Sequence, residues 1–82
     1  MSAFAIESAF VGDSYELRLS GAVDLLVTDT VIEAALARIA DPAVPRLVID
    51  LRAVTFLDST GLGALVTIRN ATVAMDKQLA LR

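Results

Sequence analysis

The first twenty residues show the two-residue alternation of β-strands that bury one face. One strand is predicted around residues 4–10, with a face formed by Phe4, Ile6, Ser8 and Phe10. A second is predicted over 15–20, where the apolar residues Tyr15, Leu17 and Leu19 alternate with polar ones. The residues between them, Gly12, Asp13 and Ser14, favour a tight turn. The pattern therefore predicts an antiparallel hairpin, with Gly21 ending its second strand.

The next apolar positions follow the period of a helix. Ile32, Ala35, Leu36 and Ile39 are spaced as one buried helix face. This helix is expected to begin near Thr30, whose spacing to Glu33 fits a capping box, with Asp29 adding favourable negative charge. Pro42 ends it. The nearly continuous apolar run at 47–51 then predicts a central strand that is covered on both faces.

A second helix is predicted to begin at Ser59 or Thr60, after a short loop that follows the central strand. Its larger apolar residues fall roughly on one face: Leu62, Leu65, Val66 and Val73. Residues 79–81 predict a further strand. Strand–helix–strand units connect parallel strands by right-handed crossovers. The predicted fold is therefore a single α/β domain, whose mixed sheet joins an antiparallel hairpin to parallel βαβ units.

Composition excludes several classes of function. The chain has 82 residues, a length that allows one small domain, and it contains no His and no Cys. A Ser-His-Asp triad, a cysteine nucleophile and the commonest metal ligand are thereby excluded. The net charge of −3 argues against binding nucleic acid or an anionic lipid surface. No stretch reaches the ~18–20 apolar residues of a membrane span. A cytoplasmic domain without metal, cofactor or catalytic site fits these features best.

Residues 54–65 carry the most information, because small and polar side chains open the second helix there. Ser59 or Thr60 can cap the helix through a hydroxyl, and the unpaired N–H groups favour an anion. Gly61 and Gly63 lie in the first turn, where helix propensity would not place them. Small residues there let another backbone or a bulky group approach closely. A plain helix cap would also explain the hydroxyls, so both interpretations stay open.

Three enzymatic motifs are absent from this segment. Leu57 stands where a G-x-S-x-G nucleophile elbow needs glycine. A G-x-x-x-x-G-K-[ST] phosphate loop occurs nowhere in the chain. The D-[ST]-G motif of aspartic proteases is missed because Asp58 and Gly61 are separated by one residue too many. A nucleotide-binding or hydrolytic function is therefore poorly supported.

Residues 56–63, Phe-Leu-Asp-Ser-Thr-Gly-Leu-Gly, resemble the signature of STAS domains, specifically of bacterial anti-sigma factor antagonists. Residues 21–24 are similar to the family's G-x-[LIV]-D element, and 46–51 to the strand before the signature. The resemblance implies a STAS-like fold over residues 1–82. Family members usually continue with two further helices, so a C-terminal truncation is expected. A homodimer could then form through the surface that those helices would cover.

The resemblance also implies a mechanism. Ser59 matches the serine that is phosphorylated by a partner anti-sigma factor, itself a serine kinase that supplies ATP and magnesium. The unphosphorylated antagonist binds this kinase and releases a sigma factor; phosphorylation ends the binding, and a serine phosphatase restores it. The implied partner-binding residues are Asp24, Asp58, Ser59, Thr60, Gly61, Leu62 and Gly63.

Individual roles on this surface differ. Asp24 either contacts the kinase or is a solvated loop carboxylate that caps a nearby N–H. Thr60 is expected to cap or orient the backbone rather than to be the main phosphorylation site, and Leu62 is either a core or a partner contact. Leu25 and Leu26 are more apolar than expected after the G-x-[LIV]-D element. The alternative function is a STAS subunit of an anion or lipid transporter complex.

Overall fold

The hairpin predicted at the start of the chain is present in the computed structural model, which describes residues 3–82. Strand β1, Ala5–Val11, pairs antiparallel with β2, Ser14–Val23. The apolar face of the hairpin points toward the helices, since Tyr15, Leu17 and Leu19 are buried in the core. The alternation of residues therefore predicted the pairing and the buried face of β2. The predicted face of β1 is only partly buried, since Ile6 is half-buried and Phe10 is 57% exposed.

Gly21 was predicted to end the second strand. This prediction is wrong, because β2 continues to Val23. The φ of Gly21, +82°, is in the left-handed region, and the register between β2 and β3 shifts directly after it. A β carbon at this position would lie 2.0 Å from the carbonyl oxygen of Ala3. Glycine is thus required by the close approach of the backbone at residues 3–4, and it bends a strand that goes on.

Helix α1, Thr28–Ile39, begins two residues before the predicted capping box. Val27 occupies the N-cap position and makes no side-chain cap, while Thr30 and Glu33 are both exposed inside the helix. The predicted capping box is therefore wrong. The hydroxyl of Thr28 instead donates a hydrogen bond of 3.3 Å to the carbonyl of the preceding loop.

The buried face of α1 is displaced by about one residue from the predicted one. Leu36 is exposed and Ile32 only half-buried, although both were placed on the core face. The residues that are buried are Thr28, Val31, Ala35 and Ile39.

Strand β3, Arg46–Leu57, is much longer than the predicted run at 47–51. The short loop expected before residue 58 does not exist, because residues 54–57 belong to the strand. Two register shifts against β2 each place an extra residue in β3. Such bulges break the alternation of side chains and increase the local twist, so the sequence pattern conceals the second half of the strand.

Helix α2, Ser59–Ala74, begins where it was predicted, and β4, Gln78–Leu81, confirms the last strand. The predicted apolar face is wrong. Leu65 is buried, but Leu62, Val66 and Val73 are 54%, 55% and 64% exposed. The core side of α2 combines the small residues Gly61, Ala64 and Thr72 with Leu65 and Ile68. The predicted homodimer through uncovered apolar surface stays a prediction.

The sheet has the order β1-β2-β3-β4, with β2, β3 and β4 parallel to one another. Both crossovers step in the same direction along the sheet, as right-handed crossovers with both helices on one face would do. Side chains of both helices share one hydrophobic core with β2 and β3. The predicted mixed α/β fold is confirmed. Within residues 3–82, no helix is long and apolar enough to cross a membrane.

The opposite face of the sheet is covered by arginine side chains. Glu16 is 2% exposed there and pairs with Arg18 at 3.4 Å and with Arg82 at 3.1 Å. Asp50 is also buried and pairs with Arg52 at 2.8 Å. The hydrogen bonds from Arg52 lower the pKa of Asp50 to about 2. These ion pairs make it energetically acceptable to bury two carboxylates on a face without helices.

Candidate functional site

Two segments far apart in the sequence meet at the carboxyl end of the sheet. Val23 and Leu57 are paired in register, so β2 and β3 end side by side. Residues 24–27 follow the first of these strands, and residues 58–63 follow the second. All seven residues of the predicted partner surface lie in these two segments. Their assembly on one edge agrees with the tendency of parallel sheets to present ligands and partners at the carboxyl ends of strands.

Asp58 is the N-cap of α2. Its φ and ψ of −94° and −174° are extended, and its Oδ1 accepts a 3.0 Å hydrogen bond from the N–H of Gly61. The hydroxyl of Thr60 donates a second bond of 2.5 Å to the same oxygen. The expectation that Ser59 or Thr60 would cap the helix is therefore wrong. Thr60 instead orients the carboxylate that does so.

These hydrogen bonds also fix the charge of Asp58. The hydrogen bond donated by the Thr60 hydroxyl contributes most to lowering the pKa of the carboxyl, and the bond donated by the Gly61 N–H contributes next. Both donors stabilise the ionised form, and the positive end of the helix dipole acts in the same direction. At neutral pH, a negative charge therefore stands directly before Ser59.

Ser59 is the first residue of α2, and its side chain is exposed. Its hydroxyl makes no hydrogen bond to another residue of the range 3–82. Asp58 caps the helix, so the Ser59 hydroxyl is not needed as a capping group. The hydroxyl is therefore accessible at this end of the sheet.

The two glycines of the first turns have different surroundings. A β carbon on Gly61 would lie 2.5 Å from Leu57 Cδ1 and 2.8 Å from the Val23 carbonyl oxygen. Gly61 is thus required for α2 to pack against the ends of β2 and β3. A β carbon on Gly63 would have no atom within 4 Å. No contact inside the domain therefore requires glycine at position 63, and glycine makes the helix less stable there than alanine would.

Asp24 organises the loop between β2 and α1. Its Oδ1 accepts a 3.0 Å hydrogen bond from the N–H of Leu26, and its carbonyl accepts a 3.1 Å bond from Val27. The carboxylate thus caps a nearby N–H, as one of the two predictions for it stated. Its contact with a partner stays a prediction.

The comparisons with known proteins agree with the fold. The family model of the STAS domain matches residues 5–82. The chain belongs to the STAS domain family. No curated protein sequence matches it.

Solved structures with the same fold include anti-sigma factor antagonists. One from Mycobacterium paratuberculosis is 27% identical, with a TM-score of 0.83, over 98% of this chain and 68% of that one. The anti-sigma factor antagonist SpoIIAA in its unphosphorylated form is 22% identical, with a TM-score of 0.76, over 96% of this chain and 71% of that one. Bacillus SpoIIAA in its phosphorylated form is 21% identical, with a TM-score of 0.73, over 94% and 68%.

The fold also occurs inside a larger protein. A crystal structure of Mglu is 18% identical, with a TM-score of 0.80, over 93% of this chain. This STAS domain spans 19% of the Mglu chain and about 70% of the antagonist chains. At this identity, the likeness to Mglu shows the fold alone.

Exposed apolar side chains lie in both segments of the STAS domain's candidate site. Leu25 and Leu26 are 70% and 88% exposed, and Phe56 and Leu62 are each more than half exposed. Its exposure shows that Leu62 is not a core residue, and its contact with a partner stays a prediction. Phe56 was not predicted as a site residue, because the strand that presents it was not recognised.

The candidate site is also acidic. Residues 24–27 and 58–63, together with the first turn of α1, contain the carboxylates of Asp24, Asp29 and Asp58 and no Lys or Arg. The part of the STAS domain that carries Ser59 is therefore negatively charged.

Other kinds of site are not found at this end. Among residues 3–82, no three side chains of His, Cys, Asp or Glu are grouped so that they could hold a metal ion. A shallow cavity of about 300 Å³ is lined in part by Arg18, Asp50 and Arg52 on the face without helices. It includes none of the predicted site residues. The arrangement around Ser59 is suited to modification and to contact with another protein.

Proposed function

We propose that this STAS domain is an anti-sigma factor antagonist whose binding to a kinase-type anti-sigma factor is switched off by phosphorylation of Ser59. The observation that carries the proposal is the Ser59 hydroxyl, which is exposed and unbonded within the described chain while its neighbours are bonded to each other. The similarity of the fold to antagonists, including one solved in phosphorylated form, supports it.

In the proposed reaction, the partner kinase transfers the γ-phosphoryl group of its ATP to Ser59. A bond forms between Ser59 Oγ and the γ-phosphorus, the bond to the β-phosphate oxygen breaks, and ADP leaves. The hydroxyl proton passes to a base of the kinase. Asp58 is poorly suited to this role, because the hydrogen bonds from Thr60 and Gly61 lower the pKa of its carboxyl and so make it a weaker base. The STAS domain is therefore the substrate and the partner is the enzyme.

Phosphorylation adds about −1.5 to −2 charges next to Asp58. The start of α2 would stabilise this charge by ~0.3–1 kcal/mol and Asp58 would repel it, so the fold itself should change little. The larger effect falls on the complex, where a buried and unpaired charge costs ~3–5 kcal/mol. A loss of ~3–4 kcal/mol lowers affinity several hundredfold. A serine phosphatase would reverse the switch by removing the charge.

The proposal places the domain in the cytoplasm, where it would act by protein contacts alone. Unphosphorylated, it would occupy the kinase-type anti-sigma factor and so release a sigma factor. It would bind no cofactor of its own, since ATP and magnesium belong to the partner. Nucleic acid is not an expected partner, because the excess charge at the site is negative.

The test is phosphorylation in vitro. The domain is incubated with each of a panel of purified kinase-type anti-sigma factors, ATP and magnesium, and the products are mapped by mass spectrometry. One kinase should add a single phosphate to Ser59, and Ser59→Ala should remove it. Thr30→Ala is the matched control, because Thr30 is also exposed in a helix but lies outside residues 58–63. Phosphate on another residue, or on none, would refute the proposal.

A further inference from the structure

We propose that residues 24–27, the loop between β2 and α1, determine which kinase binds this STAS domain. In this proposal, Leu25 and Leu26 enter an apolar depression with a basic rim on the surface of the kinase. The inference rests on the proposed function, since the partner is the protein that phosphorylates Ser59.

The exposure of the two leucines is the first observation. Their exposed fractions of 70% and 88% are the highest among the large hydrophobic side chains of residues 3–82. Single apolar residues on a surface are ordinary. Two consecutive leucines, on the same sheet edge as the exposed Phe56 and Leu62, indicate a surface that is covered in a complex.

The loop that carries them is held in one conformation. The Asp24 carboxylate binds the N–H of Leu26, and the Asp24 carbonyl binds the N–H of Val27. The hydroxyl of Thr28 binds the carbonyl of Leu25. A surface that is fixed before binding loses less conformational entropy when it is buried, so these bonds favour a role in recognition.

The position of the loop connects it to Ser59. Val23, just before the loop, is paired with Leu57, just before Asp58 and Ser59. The start of α2 also packs against the end of β2, because Gly61 has no β carbon to strike the Val23 carbonyl. A protein that reaches Ser59 across this edge must therefore pass close to the loop.

The negative charge around the loop favours a partner whose contacting surface is basic. The loop and the two helix starts carry the carboxylates of Asp24, Asp29 and Asp58, with no basic side chain in residues 23–31 or 56–63. A ring of Lys or Arg on the partner would complement them and steer its approach. An anionic lipid surface would be repelled, so the leucines are not expected to enter a membrane.

The test compares steady-state phosphorylation of two double variants. It uses the kinase that phosphorylates Ser59 in the panel described above. Combining Leu25→Ser with Leu26→Ser should raise the KM for the STAS domain at least about tenfold, because two apolar contacts are lost. The kcat should stay within about twofold, since Ser59 and its neighbours are unchanged. The melting curve of the variant shows whether it is folded.

The matched control combines Val73→Ser with Met75→Ser, which are 64% and 46% exposed but lie outside the candidate site. Its KM should equal that of the unmodified domain. Added NaCl should raise the KM of the unmodified domain if the rim of the partner is basic.

Each outcome decides one point. If no kinase modifies Ser59, the proposed function and this inference both fail. If Ser59 is modified but the leucine variant keeps its KM, only the inference fails. An equal rise in the control variant would also refute it, since any exposed apolar residue would then do the same. A KM that is insensitive to salt would refute the basic rim.

Discussion

The Thr60 hydroxyl donates a 2.5 Å hydrogen bond to the Asp58 carboxylate, reaching across Ser59. The two residues that flank the serine are thus hydrogen-bonded to each other. The carboxylate also caps the helix through the N–H of Gly61. A change at Ser59 can therefore alter the charge of the surface without removing a bond that holds the domain together.

Ser59→Asp and Ser59→Ala should separate binding from folding. The aspartate places one negative charge at the helix start, and affinity for the kinase should fall at least about tenfold, because that charge is desolvated in the complex. The alanine variant should bind and persist in the complex when ATP is present. Calorimetric titration measures both affinities. Equal affinity of the aspartate and alanine variants would contradict a switch based on charge, and copurification with a membrane transporter would favour the alternative function.

The stability of the Ser59→Asp variant is a separate prediction. The helix dipole favours the new carboxylate and Asp58 opposes it, so the free energy of unfolding should change by less than ~1 kcal/mol. Denaturation in urea measures it. A larger loss would mean that the switch acts by disrupting the fold.

Substituting Asp58 should weaken the fold, and the extent should depend on the replacement. Asp58→Ala removes the acceptor for both Gly61 and Thr60, whereas Asp58→Asn retains an oxygen that can cap the helix. The free energy of unfolding should therefore fall more for alanine than for asparagine. Urea denaturation at neutral pH makes the comparison. Identical values for the two variants would show that the cap contributes nothing measurable.

Substitution by alanine should lower the free energy of unfolding at Gly61 and raise it at Gly63. Gly61→Ala forces a methyl group against Leu57 and the Val23 carbonyl, and should cost ~1–3 kcal/mol. Gly63→Ala meets no atom within 4 Å and should stabilise α2 by ~0.5–1 kcal/mol. Each change is measured as a shift in the urea midpoint. A stabilised Gly63→Ala variant that binds the kinase less well would indicate that the partner approaches the helix backbone there.

Acid should destabilise the domain in part through Asp50. Its pKa is about 2 in the folded chain, below the ordinary value of 3.8, because Arg52 binds the ionised form. A lowered folded pKa stabilises the fold above the unfolded pKa, and this contribution is lost as the pH falls from about 4 to 2. Asp50→Asn should remove that part of the pH dependence. The measurement is urea denaturation across the same pH range, and an unchanged pH profile in the variant would contradict the role of this ion pair.

The sequence predicted the hairpin and the βαβ units because alternation and helical spacing reflect burial on a single face. It failed where packing depends on small residues. The core side of α2 includes Gly61 and Ala64, whereas Leu62 and Val66, which suggested the face, are exposed. The length of β3 was missed because two bulges interrupt its alternation.

The candidate site was predicted through the resemblance, but its internal geometry was not. Asp58, Ser59 and Thr60 are three consecutive residues that can each cap a helix, and only the backbone conformation decides among them. The role of Asp24 as a turn acceptor was one of two predictions left open. The sequence does show two consecutive apolar residues, Leu25 and Leu26, in a predicted loop. Whether they form part of the candidate site depends on where the fold places that loop, which the sequence pattern does not reveal.

The pairing of Val23 with Leu57 has a consequence for how the protein is recognised. Residues 24–27 and 58–63 form one surface only while the sheet is intact, so the surface is a conformational epitope rather than a linear one. A short peptide around Ser59 lacks the loop, and a denatured copy presents the two halves apart. A kinase that depends on both halves would thus modify only folded copies, and the phosphate would then also record that the chain had reached its native state.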